Sequence, residues 1–139
     1  MKPFEILSHT ADVRLKIHGS SKEEIFKNAL KGMGQILGPV FNGSEFEQPN
    51  KTHKVKVDSP DLAALLVDFL NEVVSLLSQQ KILYFKTNFT KLTDTHLEAV
   101  LEGMSVKELG EEIKAATYHE LYFKESPGAG WEAMVIFDI

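Results

Sequence analysis

The tetrapeptide His9-Thr10-Ala11-Asp12 lies between two short alternating runs, and Phe137-Asp138-Ile139 directly follows another. Asp12 and Asp138 each offer a side-chain carboxylate, and the terminal carboxylate of Ile139 is a third source of oxygen. Such donors suit hard divalent cations such as Ca²⁺, Mg²⁺ or Mn²⁺, a preference that His9 or His119 could alter. The spacing alone also fits a plainer reading, in which both aspartates are turn-forming or solvated and His9 is bonded to loop backbone. A second group is Lys114, Thr117, His119 and Glu120 within one strand-like run. In a regular strand Thr117 and His119 share a face and Lys114 points to the other. Lys114 and His119 could then act on one group only across a bulge or loop.

Other arrangements that carry chemistry are missing from the sequence. It has no cysteine, no glycine-rich phosphate loop, no GxSxG elbow and no HExxH pair, which turns the expectation from catalysis towards binding or assistance. Carboxylates alone do not supply a nucleophile.

These residues need a scaffold. Phe4 to Leu7 and Val13 to His18 read as strands, the second with Val13, Leu15 and Ile17 inward. Ser20-Ser21 followed by Glu23-Glu24 has a capping-box pattern, and Ile25, Phe26, Ala29, Leu30, Met33, Ile36 and Leu37 form one helical stripe closed by Gly38-Pro39. Phe41 to Asn50 has turn chemistry and reads as a loop, and Val55 and Val57 mark a short strand. Ser59 is the expected cap of a second helix, with Pro60 at its first position and a narrow polar stripe of Asp61, Asp68, Glu72 and Ser75. Leu83 to Lys91, His96 to Gly103, Ile113 to Phe123 and Trp131 to Phe137 then alternate at period two, with turns at Thr93-Asp94-Thr95 and Ser126 to Gly130. The expected order is β-β-α-β-α-β-β-β-β, an α+β fold with two helices packed on antiparallel sheet.

The chain has 139 residues, 43 % of them apolar, enough for one core and a single domain spanning 1–139. The N-terminus shows no signal-peptide pattern, and Leu62 to Leu77 is broken by polar residues, so it reads as a buried helix that does not enter a membrane. With the absence of cysteine, this sets a cytoplasmic expectation. The net charge of -5 argues against a protein that grips nucleic-acid backbones itself. Five glutamates between Glu98 and Glu112 stand against Lys107 alone, either as a solvated face or as a docking surface for a basic partner.

Several segments together resemble the archease family along essentially the whole chain. They are Ser8-His9-Thr10-Ala11-Asp12-Val13, Gly19 with Glu23-Glu24-Ile25-Phe26 and Gly32-Met33, the Leu65 to Leu77 helix, Ile113-Lys114-Ala115 with Thr117-Tyr118-His119, and Val135-Ile136-Phe137-Asp138-Ile139. The resemblance implies an accessory protein, not itself an enzyme. It would activate a GTP- and Mn²⁺-dependent ligase of tRNA splicing by promoting guanylylation of the ligase's histidine and repeated turnover. RNA and GTP would be met only through that RNA-splicing ligase. The resemblance also implies a divalent-metal site on Asp12, Asp138 and the carboxylate end of Ile139, with Ca²⁺ in structures and Mn²⁺ or Mg²⁺ as alternatives. Lys114 matches the family's functional lysine, and His119 and His9 fall in its motifs. Two other readings stand beside this one: a general chaperone or modulator of nucleic-acid-processing proteins, and a small metal-dependent hydrolase using Asp12, Asp138 and His119.

Overall fold

Helix α1, Lys22–Leu37, begins where Ser21 accepts the Glu24 N–H and where the Glu24 carboxylate turns back to the Ser20 N–H and hydroxyl. This is a variant of the expected capping box, with the carboxylate reaching one residue further back. Gly38 ends the helix in the left-handed conformation, at φ 54°, as the Gly-Pro signal predicts. Helix α2, Leu62–Gln80, corrects the expected start: its cap is Asp61, whose carboxylate accepts the Ala64 N–H at 2.8 Å. Ser59 is left outside and bonds through its hydroxyl to Asp68. Asp is as strong a cap as Ser, and placing the helix start two residues later leaves Pro60 in the approach to the helix.

The computed structural model describes residues 2–8, 11–41 and 48–139. Strands β1 (Phe4–Ser8), β2 (Asp12–Gly19), β7 (Ala115–Glu125) and β8 (Trp131–Asp138) form one antiparallel sheet in the order β1-β2-β8-β7. In the second sheet β6 (His96–Glu108) pairs with β4 (Lys51–Asp58), β5 (Ile82–Leu92) and the two-residue β3 (Val40–Phe41). The fold is α+β with two helices and antiparallel sheets, as expected, with β3 added to the predicted strand order. Phe41 therefore opens no loop, and most of the rest of the Phe41 to Asn50 reading lies outside the described residues.

The two helices touch both sheets, α1 against β2 and β5, α2 against β7 and β5. Phe26 is the hub, packing edge-on or tilted against Phe69, Phe89 and Phe123 with ring centroids 5.7–5.9 Å apart, so one side chain joins α1 to α2 and to both sheets. Helix α2 is long and apolar enough to cross a membrane by composition. Here Leu65, Leu66, Val67, Phe69, Leu70 and Val73 are all fully buried in the core. Trp131 is half-buried at the margin of the core and packs edge-on against Phe123.

Candidate functional site

The alternation that buries Val13, Leu15 and Ile17 turns Asp12, Arg14, Lys16 and His18 to the outer face of β2. Asp12 opens β2, Asp138 closes β8, and the antiparallel register sets them directly opposite each other. Directly opposed residues point to the same face with Cβ atoms about 4.5–5.5 Å apart, so two carboxylates project from the same face at one end of the sheet. Asp138 is exposed and Asp12 half-buried. Oδ1 of Asp12 is buried without a hydrogen-bond partner. A buried acceptor left unpaired is costly, and a cation would satisfy it. The oxygen donors therefore fit a hard divalent ion. Among the described residues no three His, Asp or Glu side chains gather to hold a metal, so these two carboxylates need a third donor from outside that set.

Lys114 stands immediately before β7, and its N–H donates to the Asp138 carbonyl at 2.8 Å. Its backbone thus belongs to the same sheet end. Its side chain lines a groove of about 600 Å³ on the helix side, with Leu37, Val74, Leu77 and Leu109. Ala115, one residue on, is the register partner of Asp138, so strand alternation sets Lys114 on the face opposite the two carboxylates.

His119 sits in a large bulge. Thr117 pairs with Ile136 and Tyr122 with Met134, so four residues, Tyr118 to Leu121, face Val135 alone. The bulge removes His119 from the Thr117 alternation, and its ring is 75 % exposed, with the Glu120 carboxylate 4.0 Å away. His9 and Thr10 lie outside the described residues.

Several residues that position the site were not visible in the sequence. The Asn71 amide of α2 donates to the Ala116 carbonyl at 2.9 Å and accepts its N–H at 2.7 Å. It thereby completes the open edge of β7 beside Lys114. Asp68, read as part of a polar stripe, accepts the hydroxyls of Tyr118 and Ser59. The bond to Asp68 and then burial hold the Tyr118 phenol above its ordinary value. Arg14 forms an ion pair with Glu120 in the bulge, at 2.7 Å. The available signal was Asn71 itself, a polar residue on a helix that is otherwise apolar on most sides. Further along the same outer face Tyr122 donates to Glu132. Burial, then that bond, raise the phenol, and the bond keeps the Glu132 carboxyl below the usual range.

The archease protein family (MTH1598/TM1083) matches residues 4–139. The archease of Methanosarcina mazei is 30 % identical, over 99 % of this chain and 97 % of its own length. That of Thermococcus kodakarensis is 29 % identical, with both chains covered in full. The solution structure of Methanobacterium thermoautotrophicum protein 1598 superposes with a TM-score of 0.78 at 27 % identity, covering 100 % of each chain. A crystal structure from Thermotoga maritima, described as an archease and possible chaperone, shares the fold with a TM-score of 0.69 at 23 % identity, over 96 % of this chain and 94 % of its own. With its full-length match and its shared fold, the chain belongs to the archease family.

Proposed function

We propose that this protein is a cytoplasmic accessory factor that activates a GTP- and Mn²⁺-dependent RNA-splicing ligase, promoting its guanylylation and repeated turnover in tRNA splicing or RNA repair. Membership of the archease family supports this reading. The observation that carries it is the direct opposition of Asp12 and Asp138, with Asp12 Oδ1 buried and unpaired. In this proposal Asp12, Asp138 and the carboxylate of Ile139 hold a divalent ion, Ca²⁺, Mn²⁺ or Mg²⁺. When bound, such an ion neutralises charge on transferred phosphates. Lys114 supplies a positive charge at the neighbouring groove, and His119 and His9 present imidazoles to the ligase. In this proposal the ligase performs the covalent step and contacts RNA and GTP.

A broad chaperone surface would need a contiguous apolar patch. The large exposed hydrophobics among the described residues are Ile6, Leu7, Val40 and Tyr118. Ile6 and Leu7 are consecutive on β1 and face opposite ways, an arrangement that favours a specific partner. The test is to incubate the protein, with its C-terminus untagged, with the cognate ligase, GTP, Mn²⁺ and RNA with ligatable ends. Ligation that speeds up only when both proteins are present supports activation. Phosphate release by this protein alone would replace the proposal with a hydrolase.

A further inference from the structure

We infer that the Arg14–Glu120 ion pair is a positioning device for the carboxylate site. It holds the Arg14 guanidinium away from Asp12, so that the carboxylates stay open to a divalent ion; the inference rests on the ion reading above. Arg14 is the next outward-facing residue after Asp12 on β2, opposite Ile136. Residues two apart on a strand are about 6.5–7 Å apart, so a full positive charge stands beside two carboxylates on one face. Unrestrained, it would compete with a cation by pairing with Asp12 and by repelling the ion.

Glu120 supplies the restraint. Its Oε2 lies 2.7 Å from Arg14 Nη1, in a place a regular β7 would not offer. The four-residue bulge lies against β8, between β7 and β2, and the Glu120–Arg14 pair spans β8, with Glu120 at a φ of 51°. That left-handed region is sparsely populated by residues with a Cβ, and persists only where surroundings hold it. Two contacts hold it here: the Tyr118 hydroxyl on Asp68 of α2, and the Glu120 carboxylate on Arg14. His119 Nε2, 4.0 Å from the same carboxylate, is the other titratable group facing it. Asp12 Oδ1 and Arg14 Nε are both buried and both unpaired. These complementary atoms do not join each other, as expected of a guanidinium drawn towards Glu120.

The test is calorimetric titration of the full-length protein with Mn²⁺ and with Ca²⁺, comparing wild type, Glu120→Gln, Arg14→Gln and the double variant. Glu120→Gln should bind about tenfold more weakly, the order expected when one unit charge is uncovered near a divalent ion at the protein surface. Arg14→Gln should bind at least as well as wild type, and the double variant should recover that affinity. An unchanged affinity in Glu120→Gln would overturn the inference. So would a loss that persists undiminished in the Arg14→Gln background, which would make Glu120 a ligand or a folding residue. Absence of binding by the wild type would overturn the ion reading itself, and this inference with it.

Discussion

Asn71 shows how much of a site depends on side chains that carry none of its chemistry. Its amide makes both bonds to Ala116, two residues from Lys114 and across the ladder from the Asp138 end of β8. Asn71→Ala leaves a buried N–H and carbonyl without partners, at a cost of about 2–3 kcal/mol. Denaturant melts should show that loss, and a change below about 0.5 kcal/mol would mean that water replaces the amide without penalty. Lys114 is expected to behave in the opposite way. Its exposed side chain fills no cavity, so Lys114→Ala should leave the melt and ion binding near wild type while ligase activation falls. Full activation by that variant would remove Lys114 from the proposed site. The sequence drew attention to Asp12 through its carboxylate and the archease-like motif around it, while placing it in the insert before Val13; the structure puts it on β2 as the first residue of the strand. Asn71 and Arg14 were not legible, since their partners lie far away in the chain and a polar residue on a helix or strand reads first as a solvated one.

At the scale of elements, the helices and hairpins were readable from capping and turn chemistry, apart from the start of α2, where two candidate caps, Ser59 and Asp61, compete on either side of Pro60. The β7 bulge was not readable, because Thr-Tyr-His-Glu-Leu continues a plausible alternation and only tertiary contacts to Asp68 and Arg14 favour the break. The β4–β6 pair carries a pH dependence of its own. His96 Nδ1 lies 2.7 Å from Asp58 Oδ1 and Nε2 2.8 Å from Glu98 Oε2. Both contacts need an N–H, so only the imidazolium satisfies both. Glu98, then Asp58, raise the His96 pKa above its ordinary 6.5, and His96 lowers that of Glu98 below 4.5. The His96 contribution is fully present below about pH 6.5 and fades as pH rises through the raised folded value; the Glu98 contribution is present above about pH 4.5 and fades as pH falls through the lowered one. The difference in Tm between wild type and His96→Gln should therefore be largest between about pH 5 and 6.5 and shrink towards pH 9. A difference that stays flat over that range would contradict the doubly bonded imidazolium.

At the scale of the molecule, the core and the sheet termini do separate work. Leucines and phenylalanines of both helices pack against the two sheets in the core, while Asp12 and Asp138 stand opposed at the end of β2 and β8, Asp138 exposed and Asp12 half-buried. The fold class was legible because period and turn signals agree along nearly the whole chain, whereas the division into two sheets was not, since pairing between distant strands leaves no local mark. On an acidic chain of net charge -5, two opposed carboxylates offer no grip on RNA, and in the proposed reading they hold an ion for a partner. The most direct measurement is the rate of ligase guanylylation at limiting amounts of this protein, for wild type, Asp12→Ala, Asp138→Ala and the double variant, with melts as the folding control. Each single variant should lose activation while remaining folded, and the double should be no worse than either single, because residues that share one ion act as one unit. Wild-type rates from a well-folded double variant would contradict the account.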